Sequence, residues 1–308
     1  MDKLNHDELI KDFYDYCRLR KFSTSRQYAQ IASSFCRWLE SKDSDVNSIN
    51  KALLKEYLIY LREDRQLRHD SIKHIFSHLN TLYDYMEDEG IIETNPIPAF
   101  RKRYLATYKN EDAPQQRKLI SIEDASMLVA STLETRDRAI ILLLLKTGIR
   151  RSELCSLDID DVDQRELTIT LKQTAKRSNR VVFFDLETAE ALQRWHANRR
   201  LRIGPEERAL FLSRHSRRIS KNQIDRIVTK HAMRVGLHNP KSKKLEDQFT
   251  PHCCRHWFTT MLIRAGMPRD FIKELRGDKR GEAIDVYNHI DKKELRESYL
   301  AHIPQLGI

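Results

Sequence analysis

The sequence predicts a mainly α-helical fold with one small antiparallel β-sheet, built as an N-terminal four-helix domain followed by a larger, mostly helical domain. Three observations lead there. Apolar and aromatic residues recur at helical spacing from near the start of the chain to Gly90, and only two short runs are rich in β-formers. The 308 residues are also about twice the ~150 typical of a single domain.

Four helices are expected first. Leu9, Phe13 and Tyr16 mark one stripe. Tyr28, Ile31, Phe35, Trp38 and Leu39 mark a second, behind the Ser/Thr-rich start at Ser23. Leu54, Tyr57, Leu58 and Leu61 mark a third, and Ile72, Ile75, Leu79, Leu82 and Met86 a longer fourth. Steps of three and four residues turn one face of each helix apolar, and four such faces close into a bundle over residues 1–104. From Glu93 to Lys118 the periodicity lapses, through ETNPIPAF, RKRY and a polar stretch with Asp112, Ala113 and Pro114. An exposed connector is expected here, with residues 105–118 as the linker proper. RKRY fits a solvated charge run as well as a segment lying along a polyanion.

The second domain, residues 119–308, opens with a helix signal: Ser121, then Asp124 three residues on, then Met127, Leu128 and Leu133. The run AIILLLLK from Ala139 is too short to span a bilayer and reads as the central buried helix. LTITL from Leu167 and RVVFFD from Arg180 flank the polar, basic stretch KQTAKRSN, the pattern of a β-hairpin. Helix is expected from there to the end.

Composition narrows the function. The 55 Lys and Arg against 45 Asp and Glu leave a net charge of +10, which favours a polyanionic partner, nucleic acid ahead of an anionic membrane surface. No apolar run reaches the ~18 residues of a membrane span, and the opening MDKLNHDELI is charged where a signal peptide would be apolar. A soluble, cytoplasmic protein is the expectation. Cys17, Cys36, Cys155, Cys253 and Cys254 include no CxxC pair, so reduced, mostly buried thiols are expected rather than disulfides or a zinc site.

Three segments carry candidate chemistry. In TGIRRSEL, Gly148 ends the apolar helix while Arg150, Arg151, Ser152 and Glu153 open the next. Two arginines beside free helix N–H groups make a seat for a phosphate, with Glu153 able to brace one guanidinium; taken alone, RRSE reads more often as a surface ion-pair cluster. In TPHCCRHWFTTMLIRAGMP, Thr250 and Pro251 start a helix that Gly266 and Pro268 close. His252 and Arg255, three apart, share a face near its N-terminus, where imidazole and guanidinium can hold two phosphate oxygens. His256 and the Cys253–Cys254 pair read as helix packing. In KELRGDKRGEAIDVYNHID, Gly277 and Gly281 bracket a basic turn before a short helix with Ala283, Val286, Tyr287 and Ile290. A tyrosine at such a spacing is ordinarily half-buried core.

In this order, and over essentially the whole chain, the three segments resemble the tyrosine recombinase family of phage integrases and Xer-type site-specific recombinases. The resemblance implies that Arg150 is the family's first catalytic arginine, Glu153 its box-one acidic residue, His252 and Arg255 its HxxR box, and Tyr287 its nucleophile. It also implies a core-binding domain and a catalytic domain that clamp double-stranded DNA. The resemblance further implies that strands are cut and rejoined through a 3′-phosphotyrosyl intermediate without metal, ATP or other cofactor, by four protomers on two sites. The catalytic lysine belongs in the hairpin turn, where Lys172 and Lys176 are available and counting back from Arg180 favours Lys176. Where most members carry His or Trp after the Gly of the turn, this sequence has Asp278, expected to accept hydrogen bonds from Arg150 or His252 and to be offset by Lys279, Arg280 or an active-site arginine. The C-terminal ELRESYLAHIPQLGI, apolar at Leu295, Tyr299, Leu300, Ile303 and Leu306, suits either exchange into a neighbouring protomer or packing on its own domain. A type IB topoisomerase-like nicking-closing enzyme and a DNA-binding protein that has lost catalysis are the rival readings.

Overall fold

The computed structural model describes residues 5–22, 24–106, 117–172, 180–201, 207–242, 244–278 and 290–308. The chain divides into two units, Met1–Glu111 and Asp112–Ile308. In the first, helices α1 (His6–Leu19), α2 (Ser25–Glu40), α3 (Lys51–Arg62) and α4 (His69–Asp88) fall on the four apolar stripes. Asn5 and Asn50 cap α1 and α3, each side-chain oxygen accepting from two backbone N–H groups of the first turn. Phe13, Phe35, Leu39, Leu54, Phe76, Leu79, Leu82 and Met86 are essentially inaccessible to solvent. Tyr16, Tyr28, Ile31 and Ile75 pack around that core partly buried.

The stretch expected as connector contains a fifth helix, α5 (Ile97–Tyr104), that belongs to the bundle. Ile97, Phe100 and Leu105 are buried, and the Phe100 ring stacks on Phe76 at 5.3 Å. Asn95 makes the turn: its Nδ2 donates to Asp84 and its Oδ1 accepts from the backbone of Ile97. Burial of Ile97, Phe100 and Leu105, about 1.5–3 kcal/mol for each side chain, ties to the bundle a two-turn helix whose sequence shows little periodicity.

In the second unit, α6 (Ile122–Ala130) starts at the expected capping box of Ser121 and Asp124. It buries Ala125, Leu128 and Val129, while Met127 and Leu133 stay exposed. Helix α7 (Thr135–Thr147) is the central buried helix, inaccessible from Ala139 to Thr147, and α9 (Leu186–Arg200) and α11 (Pro251–Arg264) pack on it. Between them lie α8 (Arg151–Ser156) and a sheet of β1 (Val162–Asp163), β2 (Thr168–Leu171) and β3 (Arg180–Phe183), in the order β1-β2-β3. Strands β2 and β3 form the expected antiparallel hairpin, with Ile169 opposite Val182 and Leu171 opposite Arg180. Helices α10 (Lys221–Arg234), α12 (Arg269–Arg276) and α13 (Lys292–His302) are the unit's other α-helices among the described residues.

The C-terminal segment packs on its own domain. Tyr299 is fully buried and donates its hydroxyl to the carbonyl of Lys146. The equally buried Lys146 ammonium is held by Asp185, Glu187 and the carbonyl of Pro304 at 2.5–2.6 Å. Glu187 in turn accepts from the backbone N–H of Leu306 and Gly307. Cys17, Cys36, Cys253 and Cys254 are buried free thiols, and burial pushes Cys36 up to about 12. Among the described residues no helix is long and apolar enough to cross a membrane.

Candidate active site

Helix α7 must end sharply for the site to form. Gly148 closes it with φ +59°, and a Cβ there would lie 2.3 Å from the Phe258 ring, so only glycine fits both the left-handed backbone and the space. The freed Gly148 carbonyl accepts from Arg255 Nη1 at 2.6 Å. Arg150 is not in the first turn of α8, as the sequence suggested, but is the residue that caps it. Its backbone N–H donates to Glu153 Oε2 at 2.7 Å and its Nη1 lies 3.4 Å from Glu153 Oε1. Arg151, which does open the helix, is exposed and pairs with Asp225 on α10. The two adjacent arginines therefore part company.

Arg255 projects from the first turns of α11 into the same place. It is 5% exposed, and Nη2 donates to the Arg276 carbonyl at 2.8 Å and to Asp278 Oδ1 at 3.1 Å. Desolvation, reinforced by the Arg276 charge and only partly offset by Asp278 and Glu153, brings its pKa down to about 10, so it stays cationic at neutral pH. Arg150 converges on the same acceptors, reaching the Arg276 carbonyl at 3.1 Å and Asp278 Oδ1 at 3.4 Å. Asp278 follows Gly277, which ends α12 in the left-handed region. Its Oδ2 lies 3.0 Å from Arg276 Nε without hydrogen-bond alignment. The carboxylate thus faces three guanidinium groups. The expected partner Arg150 is there; Arg255 stands where His252 was the alternative.

His252 lies one turn before Arg255 on the exposed side of α11. Partial desolvation, then the charges of Arg117, Arg255, His256 and Arg276, hold its pKa below the usual imidazole value, so it is neutral at pH 7 and able to accept a proton. Cys253 and Cys254 are packed inward as expected, whereas His256 is exposed and meets the Thr260 hydroxyl at 3.1 Å. Lys172 is elsewhere: its ammonium is engaged by Asp158 and Asp161. Lys176 and Tyr287, with Lys279, Arg280 and Gly281, lie outside the described residues. Tyr299, the next tyrosine after Tyr287, is fully buried, and burial raises its hydroxyl pKa well above the ordinary value.

Sequence reasoning missed Arg180. Its two terminal nitrogens donate to the two carboxylate oxygens of Glu153 at 2.9 and 3.0 Å, the bracing of one guanidinium expected from the neighbouring Arg150 and Arg151 being made instead by this strand residue. The available signal was a charged residue on the inward-facing position of an otherwise apolar strand. A seat flanked by Arg150, Arg255, Arg276 and a neutral imidazole can bind a phosphodiester and stabilise extra negative charge on its non-bridging oxygens.

Comparison with known proteins gives the family and the fold. The model of the phage integrase family matches residues 112–294, and that of the phage integrase SAM-like domain matches residues 6–104. This chain belongs to the phage integrase family, the tyrosine recombinases. It is similar to the tyrosine recombinase XerC of Thermodesulfovibrio yellowstonii, 28% identical over 304 residues that span 94% of each chain. It is also similar to that of Pelotomaculum thermopropionicum, 29% identical over 96% of this chain and 98% of the relative. The fold is shared with the Tn1549 transposon integrase in complex with a circular intermediate DNA, at a TM-score of 0.68 and 18% identity, covering 94% of this chain and 97% of that one. A lambda integrase dimer bound to a core site also has a TM-score of 0.68, with 17% identity over 92% and 97% of the two chains.

Proposed function

We propose that this protein is a site-specific recombinase that cleaves and rejoins double-stranded DNA through a covalent 3′-phosphotyrosyl link at Tyr287. The observation that carries the reading is the convergence of Arg150 and Arg255 on one small seat in a member of this family. A phosphodiester placed there has its non-bridging oxygens neutralised by the two guanidinium groups, with His252 at its side. Tyr287 attacks phosphorus as its hydroxyl proton leaves, which at an ordinary pKa near 10 requires help from a neighbouring acceptor. The bond to the 5′-oxygen breaks, and Lys176 supplies the proton that oxygen needs. The phosphotyrosyl bond keeps the energy of the diester, so a 5′-hydroxyl from a partner strand reverses the step with neither ATP nor metal.

Residues 1–104 serve as the core-binding clamp, 105–118 as the linker and 119–308 as the catalytic domain. The acting species is a tetramer on two DNA sites in the cytoplasm; exchange of α13 between protomers would require the buried Tyr299 and the Lys146 contacts, made here within one chain, to re-form against a neighbour. The Tn1549 and lambda integrases that share the fold were bound to DNA, which supports duplex DNA as the partner. Tyr287→Phe removes only the attacking oxygen. It is expected to retain DNA affinity within about threefold and to form no covalent adduct on a nicked suicide duplex; an adduct from that variant would assign the nucleophile elsewhere.

A further inference from the structure

We propose that Arg180, which has no part in the chemistry above, is a positioning residue that sets the geometry of the phosphate seat from the β-hairpin. The inference rests on the recombinase reading, since the seat is what Arg180 positions. Arg180 opens β3 opposite Leu171 and is 7% exposed. A guanidinium taken out of water is tolerated only if its donors are met. Here they are met on two sides: Glu153 accepts both terminal nitrogens, and the carbonyl of Leu275 accepts Nε at 3.1 Å.

Those two acceptors are the two walls of the seat. Glu153 holds the backbone N–H of Arg150 at 2.7 Å and so fixes where that side chain starts. Leu275 immediately precedes Arg276, whose carbonyl receives both Arg150 and Arg255, and Asp278 lies two residues further on. Gly277 admits the contact, because a Cβ there would stand 2.6 Å from the Arg180 guanidinium. One planar fork therefore ties the start of α8 to the end of α12. A lysine cannot replace it, having one nitrogen where two parallel donors and a third at a fixed angle are used. Buried ion pairs add little net stability over apolar groups of the same volume, so the gain from this one lies in fixed geometry.

The test uses the full chain and two variants, Arg180→Lys and Glu153→Gln, which weaken the tie from opposite ends. On an ordinary suicide duplex both are expected to bind within about threefold of the parent and to cleave at least tenfold more slowly in a single turnover. A duplex with a neutral methylphosphonate at the scissile position lacks the charge that Arg150 and Arg255 counter, and there the deficit should shrink to a few fold. An equal deficit on both duplexes, or none on either, overturns the proposal. A second readout needs no cleavage: the Nε–H NMR signals of Arg150 and Arg255 in the DNA-free protein should move toward those of exposed arginines in both variants while core methyl signals stay in place. Unmoved guanidinium signals overturn the proposal. A parent that cleaves neither duplex refutes the recombinase reading instead, and the NMR comparison then still decides whether Arg180 positions the arginines.

Discussion

Asp278 is the residue at which this chain departs from the pattern it resembles, and its surroundings say what a carboxylate does there. Its Oδ1 accepts from Arg150 and Arg255 at once, orienting both guanidinium groups when no phosphate is present. Partners that orient metal ligands in other sites are commonly worth about 10–100-fold in activity, and a carboxylate that orients two guanidinium groups acts by the same principle. Asp278→Asn keeps the accepting oxygen and should be the mildest change in single-turnover cleavage; Asp278→His should fall between; Asp278→Ala should lose about tenfold or more. An Ala variant as fast as the parent would make Asp278 a surface residue of the turn. His252 supports a prediction about pH. Its pKa lies below the ordinary imidazole value in the free protein, and a bound phosphate adds a negative charge that raises it. The complex then holds more protons than its free components between the two values, so affinity for DNA rises as pH falls through that window, by up to about tenfold for each unit between them. His252→Gln should abolish that dependence, measured as Kd from pH 7.5 to 5.5; an unchanged slope would assign the proton to another group. Arg150, His252 and Arg255 were singled out in the sequence by short motifs of fixed spacing taken together in order, and the structure brings Arg150 and Arg255 onto shared acceptors. Arg180 and the Arg276 carbonyl were not, since their contacts join residues far apart in the chain, Arg180 and Leu275 being on different elements that meet only in the folded domain.

The elements differ in how plainly the sequence announced them. The stripes of α1–α4 and the apolar run of α7 were readable because burial of a whole helical face repeats every three to four residues. Helix α5 was not, because two turns carry only Ile97 and Phe100 inward and its start depends on Asn95 bonding back to α4. The hairpin was legible from its β-branched runs, but which lysine of KQTAKRSN acts was not a matter of periodicity. The pairing of Lys172 with Asp158 and Asp161 bears on that choice: an ammonium held by two carboxylates is poorly placed to protonate a leaving oxygen. Replacing Lys176 by Ala is therefore expected to slow cleavage far more than replacing Lys172, by the roughly 10²–10⁴-fold typical of a lost general acid. A substrate with sulfur at the 5′-bridging position supplies a leaving group that needs no proton. It should restore the Lys176 variant and leave Arg150→Ala impaired, since arginine acts on the non-bridging oxygens. Restoration of a Lys172 variant instead would move the role to that residue.

At the scale of the whole molecule, net charge selects the partner. The excess of 10 positive charges over 308 residues persists although many cations are paired with carboxylates: Arg180 with Glu153, Arg151 with Asp225, Arg218 with Asp158. Such pairing consumes cations and anions together, so the net surplus remains for a polyanion. Both units contribute exposed cations. In the bundle, Lys51, Lys55 and Arg103 gather around Tyr104 within 6 Å of its ring, and in the second unit Lys221 and Arg217 are exposed. If the two units track the phosphates of one duplex, each neutralised phosphate releases condensed counterions, and log K should fall with log salt at about 0.9 per phosphate. A clamp touching six or more phosphates loses about 10³-fold or more in affinity between 50 and 200 mM salt. Non-specific duplex should show a similar slope at lower affinity, because that term carries no sequence information. Arg150→Met should reduce the slope by about one phosphate's share, and only when the scissile phosphate is present in the duplex. An affinity that hardly changes with salt would mean that the chain does not hold DNA through its backbone, and would remove the basis for a clamp whatever the chemistry of Tyr287.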